Sequence, residues 1–173
     1  HLISRHSDGA IVQELFTHHG IGCMISQETL QTLRKARIDD VGGILQLIEP
    51  LEAEGILVRR NRELLEIEID FEHDGVILGC AALYPFPEEQ ACELACLAIH
   101  SDYRDLGHGN RLLKHIESKT IAQGIHKLFV LTTHATHWFI EHGFVATTLS
   151  ELPEAKQNLY NYQRRSKVLI KHL

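Results

Sequence analysis

A glycine-containing turn between an apolar strand and a helix is the segment of this sequence best suited to chemistry. It reads Arg104-x-x-Gly107-x-Gly109 and lies between the apolar run 93–100 and a helical pattern over 108–123. Such a turn leads into a helix N-terminus, whose unpaired backbone N–H groups and positive dipole end favour a pyrophosphate. The spacing matches neither a Rossmann fingerprint nor a Walker loop. An ordinary turn with two glycines is the alternative.

Metal chemistry is a second possibility, because the chain has 13 histidines in 173 residues. His134, His137 and His142 lie within one short stretch. A zinc site needs three or four converging ligands, whereas His134 and His137 supply a single i, i+3 pair. We therefore predict no metal and interpret these histidines as solvated.

Composition excludes several classes of protein. The 17 basic and 23 acidic residues give a net charge of −6, which would not attract nucleic acid or an anionic membrane. Apolar runs are too short to cross a bilayer, and no signal segment opens the chain. Four cysteines without a Cys-x-x-Cys pair are predicted to be reduced thiols; they are Cys23, Cys80, Cys92 and Cys96. We predict a cytoplasmic protein with one core and an extension.

Hydrophobic periodicity predicts the α/β elements that position this turn. Strands are predicted at 30–38, 76–83, 93–100, 128–133, 144–149 and 167–172, the last as an edge strand. Helices are predicted at 41–54, 61–69, 108–123 and 135–142, with a helical patch from Ile11 to Phe16. Pro50 is expected to kink or restart the first of these helices, and Pro85 to break the strand that precedes it.

The strand 92–100 followed by Arg-x-x-Gly-x-Gly resembles the acetyl-CoA-binding motif of the GNAT acetyltransferase superfamily. Segments 33–41 and 128–133 resemble two further strands of that superfamily, and WFIEHGF at 138–144 resembles its closing helix and strand. The resemblance implies a GNAT fold of class α/β, with a mixed central sheet flanked by helices. It also implies acetyl-CoA as co-substrate and no metal.

Other segments resemble the bacterial N-acetylglutamate synthase family more closely, and together they cover nearly the whole chain. They are PLE at 50–52, GILVRR at 55–60, CAALYPF at 80–86, ELAC at 93–96 and YNYQRRSK at 160–167. The resemblance implies that residues 27–173 form the acetyltransferase domain. Residues 1–26 are expected to be a linker or the tail of a preceding amino-acid-kinase-like domain, which in the family carries arginine feedback inhibition. A homo-oligomer is expected for the full-length protein.

The resemblance also implies roles for individual residues. Glu93 resembles the family's general base, and Thr132 its general acid, with Thr133 as the neighbour that could be confused with it. A solvent-exposed Glu93 and a packing Thr132 are the alternatives. Residues predicted to bind the cofactor are Cys96, Leu97, Ala98, Ile99, Arg104, Asp105, Leu106, Gly107, His108 and Gly109. Backbone N–H groups at 96–98 can polarise the thioester if the central strands splay there.

Recognition of an acidic substrate in an acidic protein calls for placed arginines, because a guanidinium binds a carboxylate through two parallel bonds. Arg60 and Arg165 resemble the family's substrate-binding arginines, with Ser166 as an added donor; Arg164 or Lys167 could share the role. The resemblance thus implies acetyl transfer to the amino group of L-glutamate, the first step of arginine biosynthesis. The alternatives are an acetyltransferase for another small amine and a non-catalytic acyl-CoA-binding module.

Overall fold

The computed structural model describes residues 3–4, 6–16, 31–58, 69–73, 76–104 and 106–173. The chain divides into two compact units, residues 1–30 and residues 31–173. In the first unit, helix α1 (Ala10–Phe16) confirms the helical patch expected there. The apolar side chains of Ile11, Val12, Leu15 and Phe16 are exposed.

The second unit is a sheet with helices packed against it. Its strands are β1 (Gln31–Lys35), β2 (Ile69–His73), β3 (Val76–Phe86), β4 (Ala91–Ile99), β5 (Lys127–Thr132), β6 (Val145–Thr147) and β7 (Lys167–His172). Its helices are α2 (Val41–Ala53), α3 (His108–Ala122), α4 (Thr136–Glu141) and α5 (Glu154–Asn158). Over the described ranges the strand order is β1-β2-β3-β4-β5-β7-β6. Strands β4 and β5 are parallel and connected through α3, and the other described neighbours are antiparallel.

Helix α3 lies over the centre of the sheet and covers the largest core cluster. Its Leu112, Leu113 and Ile116 are at most 1% exposed and pack with Cys92 and Leu94 of β4. A second cluster joins α2 to β3 and β4 through Ile44, Leu47, Ile48, Ile77, Cys80 and Ala98. These contacts follow from the apolar spacing at 44, 47, 48 and 51, which places one stripe of α2 against the sheet.

A β-bulge interrupts β4 at Cys96. Ala82 lies opposite Ala95 and Cys80 opposite Ala98, so two residues of β4 face one residue of β3. Cys96 has a φ of 50°, in the left-handed region, and the Cys80 thiol lies 3.6 Å from its carbonyl oxygen. The bulge shifts the side-chain alternation of β4 by one residue. Even-numbered Cys92 and Leu94 before it and odd-numbered Leu97 and Ile99 after it therefore pack against the same core cluster.

Several predicted elements need correction. Helix α2 continues through Pro50 to Ala53 without being restarted. Strand β3 continues through Pro85 to Phe86, because the described pairing with β2 ends at Ala81 and Pro85 has β4 as its paired neighbour. A proline is tolerated in a strand where its missing donor interrupts no pairing, and Pro85 interrupts no described pairing with β2. Strand β7 is an interior strand between β5 and β6, so its prediction as an edge was wrong.

Other differences are smaller. The predicted helix at 61–69 lies outside the described residues, except that Ile69 belongs to β2. The predicted strand 144–149 is shorter, spanning Val145–Thr147, and helix α5 was not predicted. The predicted arrangement of a mixed sheet flanked by helices is confirmed.

The tight spacing at Gly79 of β3 generates a stability prediction. A Cβ there would lie 2.5 Å from the Ile99 side chain and 2.9 Å from the Ala98 carbonyl oxygen, which is main chain and cannot move freely. Gly79→Ala should lower the free energy of unfolding by ~1–3 kcal/mol, as overpacked cores do. Gly42→Ala is the matched control, since nothing lies within 4 Å of its Cβ position in α2 and alanine is the better helix former. Urea denaturation should separate the two variants, and equal stabilities would contradict the packing at Gly79.

Candidate active site

The central feature of the site is a gap between two parallel strands. Pairing between β4 and β5 runs from Ala91 opposite Lys127 to Glu93 opposite Phe129 and ends there. Strand β4 nevertheless continues to Ile99, and β5 continues to Thr132. The strands therefore part after Glu93. Two cavities lie beside the segment of β4 that is not paired with β5, one toward Glu93 and one toward Ile99.

The first cavity is a groove of about 580 Å³ beside the distal half of β4. Its walls come from β4, the turn before α3, the start of α3, helix α4 and the end of α2. The lining residues are Leu51, Ile56, Leu97, Ala98, Ile99, Tyr103, Arg104, Gly107, Gly109, Asn110, Ala135, Trp138, Phe139 and His142. The groove is mainly apolar and ends at the N-terminus of a 15-residue helix.

The N-terminus of α3 is open to an anion. Its N-cap, Gly107, has a φ of 80° and no side chain to accept from the helix amides. The first intrahelical bond runs from Arg111 N to the Gly107 carbonyl at 3.0 Å, which leaves the preceding amides of this turn outside the helical ladder. The first turn has no acidic residue. Arg104, whose Nε donates to the Ile99 carbonyl at 3.4 Å, lies at the same end of the groove.

Gly109 has a different role from Gly107. A Cβ on Gly109 would lie 3.3 Å from the Trp138 ring, whereas nothing lies within 4 Å of the Cβ position of Gly107. Gly107 is thus required by its left-handed backbone, and Gly109 by close packing of α3 against Trp138. The Trp138 ring stacks on His142 at a centroid distance of 4.1 Å and forms a wall of the groove.

The second cavity, also about 580 Å³, lies beside the proximal half of the open β4 segment. Strand β4 supplies Glu93 and Cys96, and the segment 156–166 supplies most of the opposite wall. The full lining is Ile56, Leu57, Val58, Glu93, Leu94, Ala95, Cys96, Leu131, Lys156, Leu159, Tyr160, Asn161, Arg164 and Ser166.

Glu93 is a buried carboxylate in an ion pair. The residue is 4% exposed, and its Oε2 lies 2.6 Å from the Nζ atom of Lys156 in α5. Alternation along β4 directs Cys92 and Leu94 into the core beneath α3 and turns Glu93 to the other face, where the cavity lies. Glu93 is therefore not the solvent-exposed carboxylate that the sequence analysis gave as the alternative, and its role as a base stays a prediction. Lys156 was not predicted.

Local turns place the other polar side chains of this cavity. The side-chain carbonyl of Asn161 accepts from the N–H groups of Gln163 and Arg164 at 3.0 and 3.3 Å, which forms an Asx turn. Arg164 lines the cavity, and its Nη2 donates to the Ile56 carbonyl. The Tyr160 hydroxyl donates to the Ser166 carbonyl at 2.5 Å and closes the segment.

Of the predicted substrate-binding residues, Ser166 lines the cavity and Arg165 does not. Arg165 is exposed and has a φ of 52°, so the chain turns at this residue between two that face the cavity. Arg164 holds the position that the sequence analysis left as an alternative. Arg60 lies outside the described residues.

The structure places most of the predicted cofactor-binding residues in the groove and the rest elsewhere. Six of them line the groove: Leu97, Ala98, Ile99, Arg104, Gly107 and Gly109. Cys96 lines the other cavity, Leu106 is exposed, and His108 is buried in a T-shaped contact with Tyr103. Asp105 lies outside the described residues. Trp138 and Asn110 also line the groove and were not predicted.

Thr132 ends β5 and accepts a hydrogen bond from the Ala135 N–H at 3.1 Å. The neighbouring Thr133 hydroxyl instead lies 2.7 Å from Nδ1 of His134. Neither threonine lines the two cavities. The bond from Ala135 fixes the Thr132 oxygen at the start of α4, while a hydroxyl can still donate its own proton.

The thiols give no sign of redox or metal chemistry in the described part of the chain. Cys80, Cys92 and Cys96 are buried free thiols, and Cys23 lies outside that part. Burial raises the pKa of Cys92 to about 12, so this group is a neutral thiol. Among the described residues no group of three or more His, Cys, Asp or Glu side chains could hold a metal ion. No described helix is both long and apolar enough to span a bilayer.

The two cavities meet beside one gap in the sheet, so ligands bound in each of them would come close together there. Residues 44–144 match the sequence pattern of the Acetyltransferase (GNAT) family. The chain belongs to this family.

Two curated relatives are amino-acid acetyltransferases. That of Shewanella oneidensis is 56% identical over 98% of this chain and 39% of its own length. That of Escherichia coli is 53% identical over the whole of this chain and 40% of its own length. The chain therefore spans about two fifths of the length of these relatives.

Solved structures agree with this placement. The N-acetylglutamate synthase of Neisseria gonorrhoeae, complexed with coenzyme A and N-acetyl-glutamate, is 42% identical with a TM-score of 0.79, covering 96% of this chain and 41% of that one. Its complex with coenzyme A and L-arginine has a TM-score of 0.85, covering 96% and 39%.

The ion pair between Glu93 and Lys156 generates a prediction on stability. Lys156→Met removes the ammonium from a buried ion pair and should lower the free energy of unfolding by ~3 kcal/mol. This is the lower end for buried pairs, because the Lys156 side chain keeps 17% exposure. Adding Glu93→Gln should restore most of the loss, since no charge then remains buried.

Lys114→Met is the control for this experiment, because Lys114 is exposed on α3. Its stability should change by less than ~0.5 kcal/mol. Equal losses in Lys156→Met and in the double variant would contradict a stabilising ion pair. Chemical denaturation of the four proteins measures the difference.

Proposed function

We propose that this chain transfers the acetyl group of acetyl-CoA to the α-amino group of L-glutamate. The observation that carries the proposal is the placement of buried Glu93 where β4 and β5 part, in a cavity that also contains two cations, Lys156 and Arg164. The names of the relatives support the same reaction. The synthase from Neisseria gonorrhoeae, crystallised with coenzyme A and N-acetyl-glutamate, supports the choice of both substrates.

The groove fits acetyl-CoA. At one end of the groove, the N-terminus of α3 offers backbone N–H groups and a helix dipole to a pyrophosphate, and Arg104 adds a positive charge. The apolar β4 and α4 walls suit the pantetheine arm, which would extend toward the gap between the strands. Backbone N–H groups of β4 at 96–98, beside this gap, are the proposed donors that polarise the thioester carbonyl.

Glu93 is the proposed general base. The amino group of glutamate is largely protonated at neutral pH, so it must lose a proton before its nitrogen can attack the thioester carbon. Attack forms the amide C–N bond and breaks the C–S bond, and coenzyme A leaves as the thiolate. The ammonium proton goes to the Glu93 carboxylate, directly or through a water. The thiolate takes its proton from Thr132, whose hydroxyl oxygen accepts from the Ala135 N–H. Thr132 regains a proton, through water, from the second proton that the nitrogen loses as the amide forms. This role of Thr132 stays a prediction from the family resemblance.

The second cavity, which contains Glu93 and Lys156 and which we call the acceptor cavity, suits a dicarboxylate amino acid. Lys156 and Arg164 supply two positive groups, and Ser166 adds a hydroxyl. A carboxylate that binds Lys156 places a neighbouring α-amino group close to Glu93, because the Lys156 and Glu93 side chains are 2.6 Å apart. A polyamine would need acidic walls in place of these cations. A non-catalytic acyl-CoA-binding module would need the groove and no buried carboxylate, which argues against that alternative.

Other parts of the hypothesis concern the protein beyond this domain. Residues 27–173 are proposed as the catalytic domain, and the compact unit 31–173 contains both cavities. A kinase-like domain before residue 27, arginine binding by that domain, a homo-oligomer and a cytoplasmic location stay predictions. The structure of the gonococcal enzyme with L-arginine supports arginine as a ligand of the longer protein.

Glu93→Gln tests the proposed base. The variant keeps the shape of the side chain and removes the proton acceptor, so turnover should fall ~10²–10⁴-fold. Affinity for coenzyme A should change little, because the groove lies along a different part of β4. Initial rates of thiol release and calorimetric titration measure the two quantities. A variant with the wild-type rate from pH 6 to 9 would show that the proton leaves by another route.

Arg164→Ala and Arg165→Ala test the acceptor site as a matched pair of adjacent arginines. Arg164 lines the cavity, so its loss removes charge-assisted bonds of ~1.5–3 kcal/mol each and should weaken use of glutamate roughly 10- to 100-fold. Arg165 is exposed, and its loss should have little effect. Arg164→Lys should recover only part, because an ammonium lacks the planar fork.

The measurement is the initial rate against glutamate concentration at saturating acetyl-CoA. Arg60→Ala belongs in the same series, as the family resemblance predicts a loss of similar size. If Arg165→Ala is the damaging variant and Arg164→Ala is not, the acceptor site is wrongly placed. A wild-type chain that acetylates no amino acid in a panel would overturn the proposed reaction.

A further inference from the structure

Ile56 lies where the two cavities meet. It lines both the groove beside the distal half of β4 and the acceptor cavity beside the proximal half. The other residues that line either cavity belong to one of them alone within the described residues. Ile56 is also half-buried. A displacement of this residue therefore changes the shape of both sites together.

The backbone at Ile56 is fixed from the side of α2 by the turn that ends this helix. Gly55, with a φ of 72°, follows the C-cap Glu54, and its N–H donates to the Glu52 carbonyl at 3.0 Å. The Ile56 N–H donates to the Leu51 carbonyl at 2.8 Å. These two bonds form a Schellman motif, which anchors Ile56 to the last turn of the helix. Leu51 and Ile56 both line the groove.

Arg164 holds the same residue from the other side. Its Nη2 donates to the Ile56 carbonyl, across 108 positions in the sequence. Arg164 also lines the acceptor cavity, where it and Lys156 are the cations among the described lining residues. A guanidinium has five N–H donors in a rigid fork, so one arginine can hold a backbone carbonyl and a substrate carboxylate at the same time.

We propose that Ile56 and Arg164 couple the two substrate sites, so that a carboxylate bound in the acceptor cavity increases the affinity of the groove for coenzyme A. Ile56 acts as a positioning residue, because it lines both cavities. The proposed coupling rests on the proposed function. A carboxylate on Arg164 fixes the guanidinium, which in turn fixes the Ile56 carbonyl and the groove wall. By linkage, coenzyme A increases the affinity for the acceptor by the same factor.

The test uses the unreactive pair of ligands, coenzyme A and L-glutamate, with the 173-residue chain. Trp138 is its one tryptophan and lines the groove, so its fluorescence reports binding of coenzyme A. We expect saturating glutamate to lower the Kd for coenzyme A by at least ~5-fold, the lower end of typical coupling between sites. Ile56→Ala should bring the ratio of the two Kd values close to one. Ile56→Val, which keeps a branched side chain, should retain most of it.

Arg164→Lys should also reduce the ratio, even at glutamate concentrations that saturate the variant, because an ammonium lacks the fork that reaches both partners. The matched control is Leu159→Ala, a residue that lines the acceptor cavity alone. It can weaken glutamate binding but should leave the ratio at its wild-type value under saturation.

The outcomes separate this inference from the proposed reaction. A wild-type ratio in Ile56→Ala, no effect of glutamate on the wild-type chain, or a higher Kd with glutamate each overturns the coupling. Acetylation of glutamate by the same preparation would, in each of these cases, leave the proposed reaction standing. Coupling that is present and lost in Ile56→Ala and Arg164→Lys supports the inference.

Discussion

The parting of β4 and β5 after Glu93 is the constraint on which the rest of the site depends. A parallel pair would normally use its backbone amides in the ladder, yet β4 continues for six residues beyond the last paired position, from Leu94 to Ile99. The bulge at Cys96 makes this possible, because it changes the alternation of β4 while keeping its apolar side chains in the core beneath α3. Both cavities are lined by the β4 residues beside this gap.

The buried pair of Glu93 and Lys156 shows how the fold supports a charge at this gap. An isolated carboxylate that is 4% exposed would carry a large desolvation cost, which the ammonium at 2.6 Å offsets. The same lysine adds positive charge to the acceptor cavity. One ion pair therefore stabilises the folded chain and leaves a proton acceptor beside the place where an acidic substrate would bind, so that stability and proposed chemistry depend on the same contact.

The features that could be predicted from sequence are those encoded locally. The apolar spacing of α3, its glycine N-cap and the Arg104 turn are adjacent in the chain, and the structure has them as predicted. Features that depend on tertiary context could not be predicted. The interior position of β7 is set by which strands it joins, and Pro85 is accommodated in β3 opposite Cys92 of β4. Whether Arg164 or Arg165 faces the cavity depends on an Asx turn and one left-handed residue, which charge and spacing do not reveal.

The two cavities also differ in how far apart in the sequence their lining residues lie. Most residues that line the groove lie between positions 97 and 110, at the end of β4, in the turn and at the start of α3. Helix α4 supplies a second wall. The cations of the acceptor cavity come from the segment 156–166, far along the chain. Substitutions in that segment can therefore change the accepted amine while the groove keeps its shape. Ile56 is the exception, since it belongs to both walls and is held by Arg164. A change in acceptor specificity that removes Arg164 should therefore also alter the groove, unless another donor takes over the Ile56 carbonyl.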